Sequence, residues 1–269
     1  MEPDIPAART AETHMAGEKK STGRFGGIIG ALGQLAVIAA IVLTTKTVAA
    51  EAYYVPSGSM QPSLLIGDQL IVSKFAYGYS RYSLPVPLAP ASPERLLGAM
   101  PGYGDVVVFR LPRDPSQSYV KRVVGLPGDR VQMREGRLWV NDKQLPLRPA
   151  GIGEAQDEDG TPEAAPRFVE TLPNGREHPI FKFREGGEFD NTAVFEVGAG
   201  QIFVMGDNRD DSADSRVPPS AGGVGFVPVE NLVGRVDAIL GSWDPVVRHD
   251  PLWTWPTGLR LSRFFSRVK

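Results

Sequence analysis

The run FGGIIGALGQLAVIAAIVLTT, Phe25–Thr45, constrains this chain more than any other stretch: it carries no charge, and only Gln34 is strongly polar. A helix needs about 20 such residues to cross the hydrocarbon core of a bilayer, where each backbone N–H and C=O must be satisfied within the segment. Lys19, Lys20 and Arg24 precede the run, and Lys46 alone follows it closely. That asymmetry predicts a cytoplasmic N-terminus and places everything after residue 50 outside the cytoplasm. A cleaved secretory signal is the competing reading, because Ala50 and Ala52 put small residues at alternate positions. Signal h-regions run to only about 7–15 residues, so the length favours an uncleaved anchor over 25–47. Residues 1–24 are polar, small and charged with no apolar periodicity, and read as a disordered cytoplasmic tail.

Beyond the anchor the expectation is a mainly β body. DQLIVSKF (68–75), GDVVVFRL (104–111), SYVKRVVGL (118–126), DRVQMREGRLWVND (129–142) and GQIFVMGD (200–207) are short, β-branched and bounded by Gly, Pro or Asp. The 30 glycines and 24 prolines favour turns and short strands over long helices. REGR (134–137) reads as a hairpin turn and Asn174-Gly175 as a second one. AGIGEAQDEDGTPEAA (150–165) is acidic and short of large side chains, so a mobile surface loop is expected there. The last stretch, 251–269, mixes Trp253, Trp255, Phe264 and Phe265 with basic residues. Two readings stand for it: a membrane-interface segment, or a final element packed on the β body with a solvated basic face.

Composition removes several classes of function. A net charge of −2 gives no electrostatic case for nucleic acid as a partner. With no cysteine, the chain has no disulfide scaffold, no thiol nucleophile and no thiolate metal site. Its three histidines are His14, in the cytoplasmic tail, and His178 and His249, neither of which sits in a motif. A histidine-rich metal site is therefore excluded, and a Ser-His-Asp arrangement is disfavoured.

PSGSMQP (56–62) sets two serines around one glycine. It reads either as a turn or as a presented hydroxyl. A serine hydroxyl is a weak nucleophile without an adjacent base, and lysine serves as that base once burial lowers its pKa. Lys121, in SYVKRVVGL with Tyr119, Val120, Val123 and Val124 around it, lies in a strand destined for a core. Strand alternation sends Lys121 and Arg122 to opposite faces, so one of the two is forced inward. Alternation leaves open which one.

Four boxes in order settle the reading of these residues: VPSGSMQPSLLIGDQLIVSKFAYG (55–78), GDVVVFRLP (104–112), YVKRVVGLPGDRV (119–131) and GDNRDDSADSR (206–216), continuing to GFVP (225–228). Behind an N-terminal anchor, with WPTGLRLSR (255–263) near the end, they resemble the type I signal peptidases, the bacterial leader peptidases of peptidase family S26. The resemblance covers roughly 50–145 and 200–263. It implies a coiled antiparallel β-sheet catalytic body over 48–145 and 199–269, with a small β accessory insert at 146–198. It implies Ser59 as nucleophile, Lys121 as general base, Ser57 as oxyanion donor beside the Ser59 N–H, and Ser212 as the residue orienting the lysine. Asp214 and Arg216 would form a structural ion pair. Tyr53, Val55, Pro56, Met60, Leu64, Tyr119, Val120 and Ala213 would shape shallow pockets for small side chains. No metal or organic cofactor is implied. The implied partners are exported preproteins, the lipid bilayer and a nearby secretion translocon, and the implied location is the bacterial cytoplasmic membrane, single-pass.

Two departures from the family pattern stand out. Asp211 replaces the usual Asn and is expected to face solvent, and VPPSAGG (217–223) lengthens the link to GFVP. Taken alone, GDNRDDSADSR reads as an Asp/Asn-rich turn or a calcium-type loop, because its carboxylates alternate. Other functions fit parts of the pattern: a self-cleaving Ser/Lys repressor, which predicts a DNA-binding N-terminal domain; a peptidase dedicated to one exported substrate; and a catalytically silent, membrane-tethered binder of exported chains.

Overall fold

The computed structural model of the chain describes residues 30–38, 50–83, 95, 97–157 and 160–268. Residues 30–38 are helical. No helix among the described residues is long and apolar enough to cross a membrane. The rest of the expected anchor and the whole tail 1–24 lie outside the described residues. All other described residues belong to one compact unit, Thr44–Lys269.

That unit is built from short strands: β1 (Ala50–Tyr54), β2 (Asp68–Ser73), β3 (Val106–Leu111), β4 (Asp114–Gly125) and β5 (Arg130–Arg134). They are followed by β6 (Arg137–Val140), β7 (Lys143–Gln144), β8 (Leu147–Gln156), β9 (Pro162–Thr171) and β10 (Glu177–Phe181). The last are β11 (Phe195–Glu196), β12 (Gln201–Met205), β13 (Val227–Pro228), β14 (Leu232–Ser242) and β15 (Ser266–Arg267). The main sheet runs β1-β2-β14-β3-β4-β12-β13, with β15 added on β14. Two smaller sheets, β10-β9-β8 and β11-β5-β6-β7, complete the unit.

The apolar run Val106-Val107-Val108-Phe109 in β3 shows that the sheet is covered on both sides at this strand. Val106 and Val108 pack with Met60, Leu64, Leu70 and Val72 on one side. Val107 and Phe109 pack with Val123, Ile202 and Val204 on the other. Alternate residues of a strand point to opposite faces, so an unbroken apolar run means that both faces are covered. The adjacent pair in β4 obeys the same geometry: Lys121 and Arg122 are both buried, 3% and 0% exposed. The expectation that only one of them turns inward assumed a solvated face that is not there.

The two predicted hairpins form. Arg134 pairs with Arg137, and Glu135 and Gly136 between them take φ of 49° and 71°, the left-handed values that a two-residue hairpin turn requires. Thr171 pairs with Glu177 around the Asn174-Gly175 turn. The loop expected at 150–165 is instead largely strand. β8 extends to Gln156 and β9 begins at Pro162, paired from Ile152↔Pro166 to Gln156↔Pro162. Its small residues serve packing: a Cβ on Gly153 would come within 2.7 Å of Phe181 Cε1, so the ring lies where a side chain would be.

The C-terminal stretch packs on the body as in the second reading, but without a wholly solvated basic face. Two of its arginines turn inward while Arg267 stays exposed: Arg263 holds the Asp68 carboxylate at 3.0 and 2.5 Å, and Arg260 donates to Ile66 O at 2.7 Å. The outward groups are mostly apolar, with Trp253 82%, Phe265 71% and Leu261 71% exposed.

Candidate active site

The residues 56–62 turn sharply between β1 and β2. Ser57 is extended, at φ −130° and ψ 159°, and Gly58–Met60 forms one 3-10 turn that carries Ser59. The first N–H groups of such a turn have no partner within it, which leaves the Ser59 N–H available to an incoming oxygen. Gly58 does not adopt a left-handed φ. Its glycine is favoured by close approach, since a Cβ would sit tightly, 3.0 Å from Gln61 Nε2 and 3.1 Å from Gln156 O.

Gln61 pins the turn from behind. Fully buried, it donates from Nε2 to Gln156 O at 2.9 Å and accepts from Gln156 N at 2.9 Å. An amide side chain thus completes the edge of β8 as another strand would. Asn208 closes the other side, donating from its backbone N to Ser59 O at 3.1 Å and from Nδ2 to Gly58 O at 3.4 Å. Met60 packs into the core beneath the turn.

Lys121 reaches this turn from β4. Its Nζ lies 2.6 Å from Ser59 Oγ in a hydrogen bond, and 5.6 Å from the Tyr119 ring centroid. Burial pushes the ammonium pKa down to about 8. The carboxylates of Asp214, Asp207 and Asp211 oppose that shift without cancelling it. A substantial fraction of the amine is therefore neutral near pH 8 and able to accept a proton.

A groove of about 600 Å³ opens at this contact. Tyr53, Val55, Pro56, Ser57, Met60, Tyr119, Val120 and Ala213 line it beside Ser59 and Lys121. Leu64 is placed elsewhere: it is fully buried in the core with Met60 and Leu70, behind the groove and not on its wall. Ser212 does not reach Lys121, because its buried Oγ has no hydrogen-bond partner and stands against Gly206. Asp211 is exposed on the groove rim.

The loop 206–216 is held by arginines. Arg216 donates to both Asp214 oxygens, at 2.9 and 2.8 Å, and to Arg209 O at 2.7 Å, while Gly206 N donates to Asp214 Oδ2 at 3.0 Å. Asp214 is held below the usual carboxylate range by Arg216, against the cost of its own burial. Arg122, on the face of β4 opposite Lys121, clasps Asp207 through two bonds of 2.7 Å and also donates to Gly104 O at 2.8 Å. Arg209 clasps Glu170 of β9 at 2.8 and 2.5 Å. His178 of β10 is buried between Glu170 and Asp207, at 3.6 and 3.8 Å, and burial lowers its pKa to about 4.

Sequence reasoning missed Gln61, Asn208, Arg122 and Asp207 as parts of the site. The signal available was the density of opposite charges in GDNRDDSADSR beside a KR pair, which called for buried partners.

Comparison with known proteins places this architecture. The family model described as signal peptidase, peptidase S26, matches residues 28–243. The signal peptidase I of Rickettsia typhi is 38% identical over 247 residues, covering 85% of this chain and 89% of that one. The signal peptidase I of Rickettsia conorii is 36% identical over 255 residues, covering 88% and 91%. A crystal structure of a signal peptidase I from Enterococcus faecalis is similar at 25% identity and a TM-score of 0.30, over 51% of this chain and 97% of the other. The chain belongs to the signal peptidase family, peptidase S26, and is a serine endopeptidase.

Proposed function

We propose that this enzyme cleaves signal peptides from exported preproteins with a Ser59/Lys121 dyad, after small residues, at the outer face of the cytoplasmic membrane. The contact of 2.6 Å between Ser59 Oγ and the Nζ of a buried lysine carries the reading. Neutral Lys121 takes the Ser59 proton as Oγ attacks the scissile carbonyl, and returns it to the departing amine. Ser57 Oγ and the Ser59 N–H stabilise the oxyanion, the charge that develops only on the way to the tetrahedral intermediate. Water then repeats the cycle in reverse on the acyl-enzyme, with Lys121 again as base. Each proton transfer has a protein group to perform it, so no cofactor enters the scheme.

The shallow groove walls from Val55, Pro56, Tyr119, Val120 and Ala213 suit small side chains on the acyl side of the bond. Ser212 supports the lysine indirectly, through its packing on Gly206, and the Asp214–Arg216 pair fixes the loop that carries it. The catalytic body comprises 48–145 and 199–269, and 146–198 is its accessory insert. Phe25–Thr45 anchors the chain in one pass with its N-terminus in the cytoplasm, which brings the enzyme beside the translocon and its emerging substrates.

Incubating the full chain with a labelled preprotein tests the scheme. Wild type releases a mature chain with a single new N-terminus, while Ser59→Ala and Lys121→Ala abolish release. Cleavage at the wild-type rate by either variant removes the dyad.

A further inference from the structure

The Ser59 N–H can hold an oxyanion only if the peptide plane that carries it is fixed. That plane is the Gly58–Ser59 peptide, a trans unit in which the C=O and the N–H point opposite ways. Whatever grips Gly58 O therefore aims the Ser59 N–H. Two donors grip it: Gln61 N at 3.0 Å, from within the turn, and Asn208 Nδ2 at 3.4 Å, from outside it. The backbone N of Asn208 also donates to Ser59 O at 3.1 Å. One residue thus holds the carbonyls on both sides of the Ser59 Cα.

Asn208 is itself anchored. The peptides on either side of it pair with Phe181 of β10: Phe181 N donates to Asp207 O at 2.9 Å, and Arg209 N donates to Phe181 O at 3.0 Å. Its neighbours Asp207 and Arg209 are clasped by Arg122 and Glu170. Asn208 is 3% exposed, so its amide acts with little competition from water. Gly58 O can only accept, so the amide nitrogen faces it and the oxygen turns away. That Oδ1 is buried with no donor among the described residues. A buried acceptor without a donor costs stability, so the fold alone does not account for an amide at this position.

We propose that Asn208 is a positioning residue for the oxyanion: through Gly58 O it keeps the Ser59 N–H turned towards the scissile carbonyl. Gly58 and Ser59 line the groove and Asn208 does not, so it acts through the peptide and not on the substrate. A hydrogen bond accepted by the carbonyl also polarises the peptide and strengthens its N–H as a donor. The inference rests on the dyad reading, because it takes Ser59 as the point of attack. The accessory insert, through Phe181, thereby becomes a support of the oxyanion site.

The test uses the full chain with Asn208→Leu, which nearly keeps the size of the side chain and removes its donor. Gly58 O retains Gln61 N, so no carbonyl is orphaned and the variant is expected to fold. On a preprotein its kcat falls about tenfold with KM nearly unchanged. That is less than the loss of about 10²–10³ for an oxyanion donor removed outright, because the N–H remains and only its aim is loosened. Two inhibitors separate aim from general damage: a peptidyl boronic acid in which boron replaces the carboxyl carbon of a terminal alanine, and the carboxamide of the same peptide. Ser59 Oγ bonds to the boron as its proton passes to Lys121, which leaves a tetrahedral anion with an oxygen in the oxyanion position. The carboxamide occupies the groove without forming a bond. In Asn208→Leu the inhibition constant of the boronic acid rises about tenfold and that of the carboxamide stays within about twofold. Neither constant depends on how much of the variant is folded. An unchanged kcat, or a ratio of the two constants equal to that of wild type, overturns the proposal. So does a displaced midpoint in the pH profile of kcat/KM, which would place the effect on Lys121 instead. The dyad is judged separately, by whether Ser59→Ala still cleaves the preprotein.

Discussion

Lys121, the proposed base, is destabilising for the fold while it is charged. An ordinary lysine titrates near 10.5, and burial brings this one to about 8. Below pH 8 the folded chain holds a buried ammonium, and the full penalty of about 3 kcal/mol is present, at roughly 1.36 kcal/mol per pKa unit. Between pH 8 and 10.5 the unfolded chain binds the proton that the folded chain has released, so stability rises with pH and the penalty disappears. Lys121→Met is therefore expected to melt higher than wild type at pH 7, with the gap closing towards pH 10.5; a gap independent of pH contradicts the burial argument. Ser57, as the proposed oxyanion donor, would act only as charge develops. Its replacement by Ala is expected to lower kcat by about 10²–10³ with KM nearly unchanged, as steady-state kinetics will show.

At the scale of elements, the turn that carries Ser59 and the loop 206–216 hold each other. A Cβ on Gly206 would lie 2.5 Å from Ser59 O and 2.3 Å from Ser212 Oγ, and the first of these is backbone that cannot step aside. Gly206→Ala is expected to displace Ser59 and abolish cleavage while leaving a folded chain, read by circular dichroism beside the activity assay. Gln61→Ala leaves the N–H and C=O of Gln156 without their partner and is expected to destabilise by about 1–3 kcal/mol in thermal or denaturant melts. β2 to β6 and β12 were legible in the sequence because their apolar runs are bounded by turn residues, as in β3 and the hairpin at Glu135-Gly136. β14 was not, although it is central: its alternation is broken by Gly234, Arg235 and Asp237, and its register shifts against both β2 and β3. Each bulge resets which face a side chain takes, which erases the period of two. The strand ends at 150–156 and 162–165 were hidden for the opposite reason, since their small residues leave room for Phe181.

For the whole molecule, a buried charge network joins the three-stranded sheet to the site. Glu170 and His178 of that sheet meet Asp207 and Arg209 of the loop, and Asp207 in turn holds Arg122, the neighbour of Lys121. Asp207→Asn is expected to cost about 3–5 kcal/mol, because it strands the Arg122 guanidinium in the core. The serine, the lysine and the order of the four boxes were readable in the sequence as a family resemblance. The meeting of Lys121 with Ser59 was not, since it depends on how β4 lies against the catalytic turn across 62 positions of chain. That meeting is the central claim, and the pH dependence of kcat/KM on a preprotein tests it most directly. The account predicts a single rise through a midpoint near 8, displaced to lower pH in Asp214→Asn, which removes the carboxylate that most strongly holds the proton on Lys121. A profile flat from pH 5 to 9 would contradict a buried lysine base.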